Sequence, residues 1–251
     1  MNNPIMTSVP TEGVATPRFL GVAIAVACWS VVWVLLLNIV PAGSRGRNHI
    51  ITLNATHGVV STISSAFTLY YGLDTTISVA VSLSYFLVDL AVMIHLDGIR
   101  NLYSLRRSRL MDYGHHVFGL YWGVVLFMKE ATVCEHSFGN AYVWMQTNEV
   151  STFFYNWFRL TDSTVAGALF ASSFFLSRVL FNTIYIIPKV ATKCKPLYVL
   201  GCMPYFVLQY VWFYMIARKI LMAAPQQDQT GKGNTLIADG NRATTDSKKD
   251  S

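Results

Sequence analysis

Long apolar runs separated by short polar connections dominate the chain. Phe19–Val40 carries no charged side chain over 22 residues. At about 1.5 Å per residue a helix of that length spans roughly 30 Å, the hydrocarbon thickness of a bilayer. Comparable runs recur at 50–71, 75–97, 112–130, 137–159, 163–187 and 197–220. The pattern predicts seven transmembrane helices. Glu130 and Glu149 interrupt the fourth and fifth, which are the least continuous. The first run reads as a retained helix rather than a cleaved leader, because its apolar core is long and Arg18 alone flanks it. The organisation expected is a polar leader at 1–17, a first helix and loop at 18–48, a membrane domain at 49–221 and a polar, disordered tail at 222–251.

Polar side chains recur inside these runs at helical spacing. The second run holds Asn54, His57, Ser61, Ser64, Ser65 and Thr68; the third holds Ser78, Ser82, Tyr85 and Asp89. The fifth holds Gln146, Glu149, Thr152 and Asn156; the sixth holds Arg178, Asn182 and Tyr185. Steps of three, four and seven place each set on one helical face. Such groups cost several kcal/mol each when they face lipid, so they are expected to face one another. Ser61, Ser64 and Ser82 read as bridges between helices. His57, Asp89, Arg178 and Asn182 are candidates to line an internal cavity. Arg178 needs an acidic partner, Glu149 or Asp89, and that ion pair is either structural or functional.

The stretch "MDYGHHVFGL" at 111–120 carries the candidate chemistry. Asp112 lies one helical turn before both His115 and His116. Its carboxylate is placed to fix one imidazole tautomer, leaving the other ring nitrogen as base, nucleophile or ligand. That arrangement suits removal of a proton from an amine or hydroxyl, or acceptance of an acyl group on nitrogen. The candidate catalytic set is therefore His115, His116, Asp112 and Glu149. Neighbouring helical residues diverge by about 100°, so one imidazole should face the cavity and the other a neighbouring span, towards Asp89 or His57. Both are expected near water at the helix mouth, with little packing. No HxxxH, HxxH or HExxH cluster occurs and no metal is expected. Neither a Gly-rich phosphate loop nor a GxSxG elbow is present.

Composition sharpens this picture. The chain is 53% hydrophobic and 13% charged, with a net charge of +6. The excess sits in loops, notably Arg100, Arg106, Arg107 and Arg109, without the aromatic-interleaved basic face of a nucleic-acid binder. The positive-inside bias places loop 98–111 and the carboxyl terminus in the cytosol, with Lys189, Lys193 and Lys195 opposing it. Counted from those ends, His57 and Asp89 lie about 12 Å deep and Glu149 about 15 Å, at about 1.5 Å per residue. The terminal "SKKDS" resembles the di-lysine retrieval signal of endoplasmic-reticulum membrane proteins. The four cysteines show no CxxC or zinc spacing. The Asn54-Ala55-Thr56 triplet lies inside a span and should carry no glycan.

Four segments occur in a telling order: "SYFLVDLAVMI" at 84–94, "DYGHHVFGL" at 112–120, "NEVSTFFYNWFRL" at 148–160 and "FFLSRVLFNTIYII" at 174–187. Together they resemble the TLC-domain family, which includes the ceramide synthases and the translocating-chain-associated membrane proteins. The resemblance covers roughly residues 50–220. It implies an all-α integral membrane protein, a barrel-like bundle of about seven transmembrane helices around a central, lipid-accessible cavity. The family pattern falls on Asp89, the His115–His116 pair, Glu149 and Arg178. In ceramide synthases it implies acyl transfer from acyl-CoA to a sphingoid amine. Those enzymes follow the histidine pair with a His-Asp-x-x-Asp run. Here the corresponding stretch offers Glu149 in a Glu-Val-Ser-Thr form, more like the small TLC-only members tied to membrane lipid composition. Two functional readings follow. One is a lipid acyltransferase with acyl-CoA as co-substrate. The other is a non-catalytic lipid binder, sensor or trafficking accessory using the same cavity. Membrane lipids are the expected partners in both, and no bound cofactor is expected in either.

Overall fold

The structure, a computed structural model, describes residues 15–41, 43, 47–135, 138 and 141–223. The expected leader up to residue 14 and the tail beyond residue 223, with its Lys248 and Lys249, lie outside the described residues. The described chain is all-helical, with one isolated β-bridge between Cys134 and Cys194. Its α-helices are α1 (Ala15–Ile39), α2 (Asn48–Tyr71), α3 (Thr76–Asp97), α4 (Arg107–Val133), α5 (Ala141–Gln146), α6 (Val150–Thr161), α7 (Thr164–Phe174), α8 (Ile187–Lys193) and α9 (Pro196–Ala223). A 3₁₀ turn at Thr147–Glu149 joins α5 to α6, and π-helical turns at Phe175–Leu180 and Asn182–Ile186 join α7 to α8.

Among the described residues four helical stretches are long and apolar enough to cross a membrane: Phe19–Ile39, Thr76–Asp97, Thr164–Lys193 and Pro196–Met222. The remaining three predicted spans correspond to α2, α4 and the α5–α6 rod. They fall short for a physical reason. In α2 hydroxyl, amide and imidazole groups lower the mean hydropathy, in α4 Asp112 and the histidine pair do so, and α5 and α6, at 6 and 12 residues, are each too short. Two boundaries also differ from the sequence pattern. α1 begins at Ala15, inside the expected leader, and α4 begins at Arg107 rather than 112.

The chain divides into two compact units, Met1–Phe213 and Tyr214–Ser251. Of the second, the described part is the last turns of α9. In the first unit α1 packs along α3, α2 along α6, α6 on α7 and α3 on α4. Each seam has its own fastening. Trp33 of α1, 1% exposed, donates its indole N–H to Ser84 Oγ of α3 at 2.9 Å. Gly58 lets α2 press on α6, where a Cβ would meet Glu149 O and Phe153 N at 2.9 Å. Gln146 Oε1 accepts from Ser65 Oγ at 3.0 Å and Ser78 Oγ at 2.8 Å, tying α5 to α2 and α3. Asp97, at the end of α3, accepts from Arg109 Nε at 2.7 Å and Tyr113 Oη at 3.0 Å of α4.

At the opposite end of α4 a disulfide joins Cys134 to Cys194. Glu135 N donates to Lys193 O at 2.8 Å, and Lys193 Nζ donates to Glu135 Oε2 at 2.7 Å, completing a clasp. Closing a loop of 60 residues is worth about 4 kcal/mol in the chain-entropy account.

Candidate functional site

Among the described residues, two buried polar clusters of the helical unit contain charged side chains. The first surrounds His116, which is 8% exposed. Its Nδ1 lies 2.8 Å from the Asp112 carbonyl oxygen one turn back. A carbonyl only accepts, so Nδ1 carries a proton. Its Nε2 lies 2.7 Å from Asp89 Oδ2 of α3. The approach is bent from the N–H direction, an ion-type contact rather than a well-directed hydrogen bond. Tyr85 Oη donates to the same carboxylate oxygen at 3.4 Å, one turn back on α3. The Tyr85 ring stacks on His57 at 3.6 Å with planes 7° apart. His57 Nε2 lies 3.4 Å from Ser82 Oγ, which meets Ser61 Oγ at 3.0 Å.

Asp112 thus holds His116 through its backbone carbonyl. Its carboxylate instead faces Arg109, at 3.8 Å. The orienting role expected of the Asp112 carboxylate falls instead to Asp89, from a different helix.

The second cluster surrounds Arg178, on the π-helical stretch. π turns shift helical register and recur at sites where a side chain must be re-aimed. Arg178 Nη2 meets Glu149 Oε1 at 3.0 Å and Thr152 Oγ1 at 2.9 Å. Its Nε donates to Ser151 Oγ at 2.7 Å and its Nη1 to Gln209 Oε1 at 3.1 Å. Thr152 Oγ1 in turn donates to Glu149 Oε2 at 2.7 Å. Asn182 Nδ2 donates to Arg178 O at 2.7 Å, and Asn182 Oδ1 accepts from Asn148 Nδ2 at 2.9 Å. Glu149, not Asp89, is the partner of Arg178.

Among the described residues His115 hydrogen-bonds to neither network, although its ring meets His116 edge-on at 5.6 Å. Its ring sits among Phe86 at 5.6 Å, Trp212 at 5.3 Å and Tyr205 at 6.4 Å. Among the described residues no hydrogen bond orients it. It lines a cavity of about 40 Å³ together with Glu149, Gln146, Ser82, Trp122, Cys202 and Tyr205. That volume holds a few water-sized guests and no acyl chain. The two adjacent imidazoles diverge, as helix geometry requires: one onto the cavity, one onto Asp89. Neither stands at a helix mouth. With α4 starting at Arg107, His115 lies about 12 Å along the helix at about 1.5 Å per residue.

The expected set therefore separates. His116, Asp89 and His57 meet around Tyr85; Glu149, Arg178 and Asn182 meet in the second cluster; His115 and Glu149 share the cavity; Asp112 contributes its backbone. No group of three metal-binding side chains converges among the described residues. Four participants escaped the sequence reading. Gln209 and Tyr205 complete the Arg178 and Asn148 contacts, and the signal was a lone amide inside an apolar run. Cys134 and Cys194 form the clasp, and the signal was their shared end of the bundle in the predicted topology.

What this fold and site define is an all-helical protein with helices of membrane length and an ion-paired, hydrogen-bonded polar interior. No protein-family model, curated protein or solved structure matches the chain.

Proposed function

We propose that the chain is a seven-span membrane protein that handles lipid at the His115–Glu149 cavity, as an acyl-CoA-dependent acyltransferase. The observation that carries this reading is the division of labour between the two histidines. His116 is tied down by Asp89 and the Asp112 carbonyl. His115 is left with unengaged ring nitrogens facing an internal space beside a carboxylate. In this role His115 takes the proton of an acceptor hydroxyl or amine as that group attacks the thioester carbonyl, and the thiolate of coenzyme A leaves. The ordered likeness to TLC-domain proteins supports lipid chemistry in the same region. α2, α4 and the α5–α6 rod serve as the further spans, their polar faces turned inward.

In the proposed placement, the endoplasmic reticulum holds the protein with loop 98–111 and the carboxyl terminus in the cytosol. The arginine loop supports it. The clasp adds an independent argument, because structural disulfides persist in oxidising compartments, and Cys134–Cys194 then lies on the lumenal side.

A second reading has its own support. The cavity is small, and no partner orients His115 as a base. Both favour a lipid binder or sensor without turnover. Mass spectrometry of lipid co-purified in mild detergent, with and without acyl-CoA, decides between them. The transferase yields a new acylated lipid that His115→Ala abolishes. Unchanged bound lipid identifies the binder, and protein free of lipid in both conditions removes both readings.

A further inference from the structure

The small cavity poses a problem for any protein that handles lipid: a chain must enter, and the interior has no room. The walls of the cavity show where room can be made. His115, Phe118, Gly119 and Trp122 come from α4, and Tyr198, Cys202 and Tyr205 come from α9. The cavity lies behind the seam between these two helices.

That seam is built unlike the others. The α1–α3 and α2–α6 backbones pack closely, and α2, α3 and α5 are laced by serine and glutamine hydrogen bonds. The α4 and α9 backbones barely approach one another. Aromatic side chains fill the gap: His115 meets Tyr205 and Trp212, and nearer the start of α9 one indole fills it. Trp122 lies directly on Gly201, which has no side chain to oppose it, and packs edge-on to Tyr198 at 5.2 Å. Among the described residues the buried Trp122 Nε1 has no hydrogen-bond partner. Turning the indole aside therefore breaks no polar bond, and a carbonyl oxygen arriving in the cavity would find a free donor. The outer flanks of the seam are apolar and exposed: Val117, Tyr121 and Val124 on α4, Leu197 and Leu200 on α9. In a bilayer these flanks meet hydrocarbon, which selects an acyl chain over a charged headgroup. The Cys134–Cys194 clasp joins the end of α4 to the residue two places before α9, so the seam is tethered at one end.

We propose that the α4–α9 seam is a lateral entry through which one acyl chain of a membrane lipid reaches the His115 cavity, with Trp122 as a plug seated on Gly201. The proposal rests on the reading of that cavity as a lipid site.

The test uses the full chain in liposomes of phosphatidylcholine carrying a diazirine at the end of one acyl chain. After irradiation, adducts are mapped by peptide mass spectrometry in the parent, Trp122→Ala and Trp122→Phe. The expected result is labelling of Cys202 or Tyr205 inside the cavity, rising severalfold in Trp122→Ala and less in Trp122→Phe. Trp122→Phe retains an aromatic filler, so it carries the comparison if the alanine variant does not fold. Cavity adducts that are equal in parent and variants overturn the entry but leave the cavity a lipid site. Adducts confined to the outer flanks, at Val117 or Leu200, in every variant overturn both.

Discussion

His115 and His116 are adjacent in sequence, yet removal of each has a different consequence. His116→Ala leaves Asp89 buried at 3% exposure without its cationic partner, with only the 3.4 Å contact of Tyr85 Oη remaining. Stranding a buried carboxylate costs about 3–5 kcal/mol. Thermal unfolding in detergent should drop sharply, and Asp89→Asn in the same chain should restore part of the loss. An unchanged melting temperature in the single variant would show that Asp89 reaches water. His115→Ala removes an imidazole that no hydrogen bond holds. Stability should change by about 1 kcal/mol or less. The rate of acyl transfer should fall roughly 10²–10⁴-fold if His115 is a general base. A binder would lose only about 1 kcal/mol of affinity. Arg178 behaves like His116. Arg178→Ala should cost about 3–5 kcal/mol, with rescue by Glu149→Gln. Rescue by Asp89→Asn instead would contradict the observed pairing.

At the scale of elements, the sensitive contact is that of α2 with α6. A Cβ on Gly58 would lie 2.9 Å from Glu149 O and Phe153 N, both backbone atoms that cannot rotate aside. Gly58→Val should therefore push the helices apart and cost about 1–3 kcal/mol. Because Glu149 starts the displaced segment, the Arg178 contact should weaken with it. Gly114, where nothing lies within 4 Å of the built Cβ, is the control, and Gly114→Ala should be neutral or slightly stabilising. Equal unfolding temperatures for the Gly58 and Gly114 variants would remove the close-packing argument. The same helices show what a sequence can and cannot convey. The 3.6-residue stripes located His57, Asp89, Glu149, Arg178 and Asn182 on inward faces, since periodicity is a local property. Which stripe meets which is not local. Thus Glu149 rather than Asp89 meets Arg178, and a backbone carbonyl rather than the Asp112 carboxylate meets His116. The π turns that aim Arg178 leave no compositional trace. The early start of α4 was hidden by arginines, which are good helix formers but lower the hydropathy that marks a span.

At the scale of the whole molecule, the ends of the helices should lie in two compartments, and the clasp says which is which. An even alternation of spans puts the α2–α3 turn near Leu73 and the Cys134–Cys194 pair on one side. It puts loop 98–106 and the α6–α7 turn at Ser163 on the other. The oxidising side keeps a structural disulfide, so the proposed placement puts the turn near Leu73 in the lumen and Ser104 and Ser163 in the cytosol. Both Leu73 and Ser104 are exposed, which makes them suitable reporters. In a Cys28→Ser background, Ser104→Cys should react with an impermeant maleimide in sealed, cytosol-out microsomes. Leu73→Cys should react only after the membrane is opened by detergent. The reverse order would invert the molecule and place the clasp in a reducing compartment. Labelling of both in sealed vesicles would mean that α3, between them, does not cross at all. Since α3 carries Asp89, Tyr85 and Ser82, that last outcome would also deny the site its membrane setting, so one labelling experiment bears on topology and on lipid access together.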